Sequence, residues 1–333
     1  MTRRFLRMNA LPSLALALGL LAPALAPAQQ PAASTEAPQF QAETCSVEGL
    51  MDSIRRGLGS KSEAYKLYLR TLLRESAVNL PLAELQSAFE REYDPVMVEH
   101  LAAALVARTE RGLEPEAMQA VARRALEDKD PGLRAATIRA LRRTGALDRT
   151  GDMYERLVRD SSPEVRMEAA TNLIEDNLHV YGGRDGRAAD TAIAAAAASS
   201  DPQVTTKILG RLMTGEISSG SARKLEQLLR SDSSEVRVAA STALGGVPAA
   251  EMPSARQALL GMYRDEKDPG VRKAILQSVA QLGYSGAVPE LKRLRGIDSS
   301  MAPEIDAWVR VLDMNLQDWS LILREKQRQQ QAR

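Results

Sequence analysis

The stretch "DPGLRAA", Asp130 to Ala136, returns as "DPGVRKA", Asp268 to Ala274. Near-copies stand between them: "SPEVRMEA" from Ser162, "DPQVTTK" from Asp201 and "SSEVRVAA" from Ser233. Each phrase has the chemistry of a helix start. An Asp or Ser sits where its side-chain oxygen can accept a free backbone N–H. Pro follows at the first helical position, where its missing N–H costs nothing. Glu164, Glu235 and Glu304 fall in first turns, where a negative charge suits the helix dipole.

Aligned on the Pro, or on Ser234 in its place, the anchors are Pro95, Pro131, Pro163, Pro202, Ser234, Pro269 and Pro303. Successive spacings are 36, 32, 39, 32, 35 and 34 residues. Two residues after the last six anchors stand Leu133, Val165, Val204, Val236, Val271 and Ile305. Four further on come Thr137, Ala169, Ile208, Ala240, Ile275 and Val309. After four more come Leu141, Leu173, Leu212, Leu244 and Val279, with Leu312 one position early. Apolar residues at i, i+4 and i+8 trace one face of a helix. Upstream of each start lies another amphipathic segment, such as "SARKLEQLLRS" from Ser221. One unit is therefore helix A, a tight turn, helix B and a loop. Such a pair cannot bury both apolar faces alone, so units must stack into a solenoid.

A period near 34 also suits tetratricopeptide repeats, but their Trp-Leu-Gly-Tyr pattern is missing, as is the Thr-Pro-Leu-His of ankyrin. The phrase D-x-x-P-x-V-R-x-A-A resembles HEAT repeats, particularly the HEAT-like repeats of phycobilisome lyases. "DSSEVRVAASTALGGV", Asp232 to Val247, carries the likeness best, and it extends over roughly residues 80–315. The resemblance implies an all-α fold, a right-handed α-solenoid of about seven HEAT-like helix pairs with a concave face lined by B helices. It also implies a ladder in which the Asp before helix B and the Arg within it link neighbouring units. Arg134, Arg166, Arg237 and Arg272 hold the Arg position, while Thr205 and Asp306 interrupt it.

The remaining organisation follows from composition. Residues 1–28 have the layout of a secretory signal: Arg3, Arg4 and Arg7, an apolar run from Leu11 to Leu25, then Ala26-Pro27-Ala28. Cleavage is expected between Ala28 and Gln29, leaving a periplasmic or secreted chain with no stable membrane anchor. Residues 29–45 read as a disordered leader, 46–80 as an N-terminal cap or degenerate repeat with Ser62 near an anchor position, 81–324 as the solenoid, and 325–333 as a fraying polar tail. Cys45 is the single cysteine, so no internal disulfide is possible. An intermolecular bridge and an idle thiol on a flexible linker are its two readings.

Without the first 28 residues the chain has 41 basic and 43 acidic side chains. That balance opposes nucleic-acid binding. Only His100 and His179 are present, so a His-rich dinuclear iron site of the kind in HEAT-repeat hydroxylases cannot be built. No Walker loop, zinc motif, calcium loop or Gly-x-Ser-x-Gly appears, and no cofactor is expected. These absences favour a non-catalytic scaffold that binds another protein through its concave surface and loops. The alternative is a lyase-like or other accessory enzyme that uses the groove as an active site.

Two candidate sites stand out. Arg139, Arg142 and Arg143 lie off the core face of their helix B, and Lys207 and Arg211 hold the corresponding side of a later one. Together they suggest a basic stretch for an acidic partner segment, against the competing reading of ordinary charges paired with nearby carboxylates. The 39-residue spacing contains an expected long loop, Glu175 to Asp190, with His179, Tyr181, Arg184 and Asp185 as possible ligand contacts.

Overall fold

The structure is a computed structural model. It describes residues 47–331 except 60–61, 77–78, 111 and 113–115. The expected signal, its cleavage point at Ala28 and Gln29, the leader and Cys45 lie outside the described residues. The described residues form one compact unit.

Every regular element among the described residues is helical. The A helices are α1 (Val47–Leu58), α3 (Leu82–Arg91), α5 (Glu116–Glu127), α7 (Leu147–Leu157), α9 (Gly186–Ala198), α11 (Ser219–Leu228), α13 (Met252–Asp265) and α15 (Val288–Ile297). Their B partners are α2 (Glu63–Ser76), α4 (Pro95–Glu110), α6 (Pro131–Arg139), α8 (Pro163–Glu175), α10 (Pro202–Leu209), α12 (Ser234–Leu244), α14 (Pro269–Gly283) and α16 (Ala302–Leu312). A final helix, α17 (Trp319–Gln331), packs on α16. Each B helix touches the B helices of the neighbouring pairs, and the A helices do the same as far as α13. This is an all-α solenoid. Its seven anchored pairs are preceded by α1–α2, whose helices stack on α3 and α4.

The repeated phrase caps helices as its chemistry requires. The Asp130 carboxylate accepts from Gly132 N–H at 2.7 Å, Asp201 from Gln203 at 2.9 Å, and Asp268 from Gly270 at 2.7 Å. Ser62 Oγ accepts from Tyr65 N–H at 3.3 Å, so the upstream anchor is a cap as well. Ser162 departs: its side chain caps nothing, and its own N–H donates to Asp160.

The three apolar rows are buried, including Thr137, whose hydroxyl donates to the Leu133 carbonyl at 2.8 Å. Val309 is the exception, being only partly buried. Helix α16 is rolled so that Trp308 is fully buried, its ring stacked on Trp319 at 5.6 Å between centroids. Lys326 lies 4.2 Å from the Trp308 ring and pairs with Glu304 at 2.6 Å. The segment expected to fray is thus helical to Gln331 and covers the last pair, as a terminal cap of a stacked array must.

Candidate functional site: the concave face and its two polar ladders

One edge of the stack is held by arginines. Arg134 grips Asp160 with two nitrogens, at 2.9 and 2.7 Å, and its third donates to the Asp128 carbonyl. Arg166 does the same to Asp201, at 3.0 and 2.8 Å, and to the Asp160 carbonyl. Arg237 forks onto Glu266, and Arg272 reaches Asp298 at 3.1 Å and the Glu266 carbonyl at 2.7 Å. Each arginine therefore ties the turn of its own pair to the turn of the next. Arg forks suit this task because the planar guanidinium satisfies a carboxylate and a carbonyl at once.

An acid before helix B, as the resemblance implied, completes each rung, and at Asp160 and Glu266 it holds the Asp place of the D-x-x-P phrase and not the capping position. Asp160 and Glu266 stand three residues before the anchor, and there they also accept N–H groups of their own turns. Burial works to raise the Asp160 carboxyl, yet Arg134, the Ser162 N–H and Arg166 hold it below its ordinary value. Glu266 is lowered in the same way by Arg237 and the Asp268 N–H against its own desolvation. The sequence carries the signal: the third residue before each anchor is Glu92, Asp128, Asp160, Ser199, Ser231, Glu266 or Ser300. Where Ser199 holds the place, the cap Asp201 supplies the acid. Where Ser300 does, Asp298 supplies it and the Ser300 hydroxyl assists. Between α10 and α12 both halves are absent, Thr205 facing Ser231 in register, and Thr205 instead donates to the Ala196 carbonyl at 3.1 Å.

At the other end of the B helices, buried polar side chains replace arginines. Asn172 donates to the Ile138 carbonyl, Thr214 to Ala243 at 2.8 Å, and Ser278 to Ser241 at 2.8 Å. The expected long loop belongs to this ladder. Helix α8 runs on through a π-helical turn, Asp176–Val180, before Gly182 and Gly183 turn the chain in the left-handed region. Asn177 clamps the Met213 backbone, accepting its N–H at 2.9 Å. Asp176 is buried and accepts from Arg143 N–H at 2.8 Å, holding Arg143 at φ 60°. Desolvation raises the Asp176 carboxyl to about 6, with Arg143 N–H opposing and Glu175 adding to the rise.

The candidate residues divide accordingly. Tyr181 donates to the Gly145 carbonyl at 3.2 Å, and Asp185 caps α9 and pairs with Arg187; both serve the fold. His179 sits half-exposed 3.6 Å from Glu175, and Arg184 is exposed. Gly186 and the alanine-rich α9 make a close-packed joint: a Cβ at Gly186 would lie 1.9 Å from the Glu216 carbonyl oxygen.

Arg139, Arg142 and Arg143 are brought together, but not as a free basic stretch. Arg139 pairs with Glu99 at 3.0 Å, Arg142 with Glu168, and Arg143 with Glu175. The expected excess of positive charge is cancelled there by carboxylates on the flanking B helices and at the end of α8. This is the competing reading of paired charges; the sequence does not name the partners, because the pairs join residues 26 to 40 positions apart. Lys207 and Arg211 have no ion pair among the described residues. Among those residues, no group of three His, Cys, Asp or Glu side chains converges to hold a metal ion.

A groove of about 570 Å³ crosses the B helices α2, α4 and α6. Ala103, Ala107 and Ala140 line it, with Leu67, Glu75, Arg139 and Arg142 around them.

The family of HEAT repeats matches residues 222–301. No curated protein matches the sequence. Among solved structures, the chain is similar to YibA of E. coli, at 16% identity over 84% of this chain and 93% of that one, with a TM-score of 0.39. It is similar to human deoxyhypusine hydroxylase in complex with glycerol, at 15% identity over 80% and 97%, with a TM-score of 0.30. It is also similar to an engineered protein, at 16% identity over 79% and 88%, with a TM-score of 0.28. The matched segment, which carries HEAT repeats, runs from within α11 to just past the end of α15, and helix pairs of similar layout precede it.

Proposed function

We propose that this protein is an exported, non-catalytic scaffold that binds another protein along its concave B-helix surface. The observation that carries this reading is the form of that surface. B helices α2 to α16 lie side by side, each covered by its own A helix. What they leave exposed is a shallow polar strip with an alanine-lined groove at one end. Small residues let a partner backbone or helix approach closely, and the ladders hold the strip in one shape, which lowers the ordering cost of binding. Export rests on the residue pattern of positions 1–28.

A photo-crosslinking residue placed at Ala103 or Thr242, on B helices, is compared with one at Gln257 on A helix α13. The expected result is a discrete adduct from the native envelope at the B positions and none at Gln257. Adducts only at Gln257, or none anywhere, sink the proposal. N-terminal sequencing of the mature protein is expected to begin at Gln29; a protein that keeps Met1 contradicts export.

A further inference from the structure

Every joint between neighbouring pairs has two ends. At the turn end, helix A passes into helix B; at the loop end, helix B passes into the next helix A. Three joints are bonded at both. Between α6 and α8, Arg134 holds Asp160 at the turn end and Asn172 holds the Ile138 carbonyl at the loop end. Between α8 and α10, Arg166 holds Asp201, and the Met213 N–H donates to Asn177. Between α12 and α14, Arg237 holds Glu266, and Ser278 donates to the Ser241 carbonyl.

The joint between α10 and α12 is bonded at one end. At its loop end the Thr214 hydroxyl donates to the Ala243 carbonyl at 2.8 Å, and the Ser218 N–H donates to Asp190 of α9 at 2.9 Å. The Glu216 backbone packs there against Gly186. At its turn end no hydrogen bond or ion pair crosses among the described residues. Thr205 donates within its own pair, to the Ala196 carbonyl, and Ser231 Oγ accepts the Ser233 N–H of its own turn at 3.3 Å. The apolar packing changes at the same place. Val165, Val204 and Val271, each third in its B helix, belong to the continuous core. Val236 holds that position in α12 and is buried, but it stands outside that core.

Parting the turn end of a bonded joint separates an arginine fork from its carboxylate, which is costly where the pair is shielded from water. Parting it between α10 and α12 breaks no polar bond, and apolar contact is non-directional. We infer that this joint is a hinge: the arms α1–α10 and α11–α17 swing about the bonds at its loop end and part at its turn end. Within each arm the ladders keep the B-helix surface in one shape, and between the arms its curvature changes. The inference goes beyond the proposed scaffold function and stands whether or not a partner binds.

The residue two before each anchor is exposed in its turn, so Lys129, Ser200 and Lys267 give label sites of equal register. The test uses the full chain with C45S and one pair of spin labels at a time. K129C/S200C spans two joints with rungs, and S200C/K267C spans the unbonded turn end and one rung. Label distances are read by double electron–electron resonance. The S200C/K267C distribution is expected to be roughly twice as wide as that of K129C/S200C or more. T205R/S231D, which supplies the missing arginine and acid, is expected to narrow it to the K129C/S200C width. R166A, which removes a rung, is expected to widen K129C/S200C. Equal widths in the two labelled parents overturn the inference. So does a folded T205R/S231D chain that leaves the wide distribution unchanged, or an R166A chain whose K129C/S200C width does not move. If T205R/S231D fails to fold, the two parental widths and R166A decide.

Discussion

Arg237 forks onto Glu266: Nε donates to one carboxylate oxygen at 2.8 Å and Nη2 to the other at 3.1 Å. Its Nη1 reaches back to the Ser231 carbonyl at 2.9 Å, so one side chain closes two turns. Glu266 is buried and spends an oxygen on the Lys267 and Asp268 N–H groups. Arg237→Ala leaves that carboxylate buried without its cation. A loss of about 3 kcal/mol is expected by urea denaturation. Hydrogen exchange should rise first in the turns before α12 and α14.

The missing rung offers the converse experiment. Thr205→Arg alone places a cation in a buried position opposite Ser231, and a destabilisation of about 2 kcal/mol is expected. Ser231→Asp supplies the acid at the position Asp160 and Glu266 hold in their units. The double variant is expected to recover at least about 1 kcal/mol in a double-mutant cycle. Strict additivity would show that the ladder geometry does not extend to this joint.

Val236 opens the core face of α12 and is 3% exposed. Val236→Asp buries a carboxylate with no cation assigned to it, at a cost of about 3–4 kcal/mol. Because stacked repeats couple chiefly to neighbours, exchange protection should fall in α11 and α12 first and in their neighbours next. Uniform loss across all helices would contradict a solenoid of nearest-neighbour units.

Two sets of carboxylates give opposite pH dependences. Asp160, Asp201, Glu266 and Asp298 are lowered in the folded state, so the stability they add is present above their unfolded values. It is lost as pH falls through the folded ones. Asp176, raised to about 6, behaves in reverse: its charged form is penalised, and stability falls as pH rises from about 4 to 6. Asp176→Asn keeps an acceptor for Arg143 N–H and removes that charge. At pH 7 the variant is expected to be more stable by about 3 kcal/mol, and the gain should vanish near pH 4. A gain independent of pH would show that Asp176 is not the titrating group.

The periodic phrase determined the fold by itself, because caps, Pro and apolar rows act within one helix and its nearest turn. The helix starts at Pro131, Pro163 and Pro202, the buried rows from Leu133 to Ile305, and the pairing of A with B were legible on that ground. So was the break at Thr205, which a single column of residues exposes. What stacking decides was not legible. The partners of Arg139, Arg142 and Arg143 stand on other helices, so a helix that looks basic alone is neutral in the array. The expected loop at Glu175–Asp190 became a π-turn and a brace because Asn177 and Asp176 find backbone groups in two neighbouring units. The polar tail became a cap because Trp308 needs a cover, and only the three-dimensional end of the stack brings Trp319 and Lys326 to it. Local chemistry is written within a turn of helix; the balance of charge on a surface is a sum over units, and it exists only once the units are stacked.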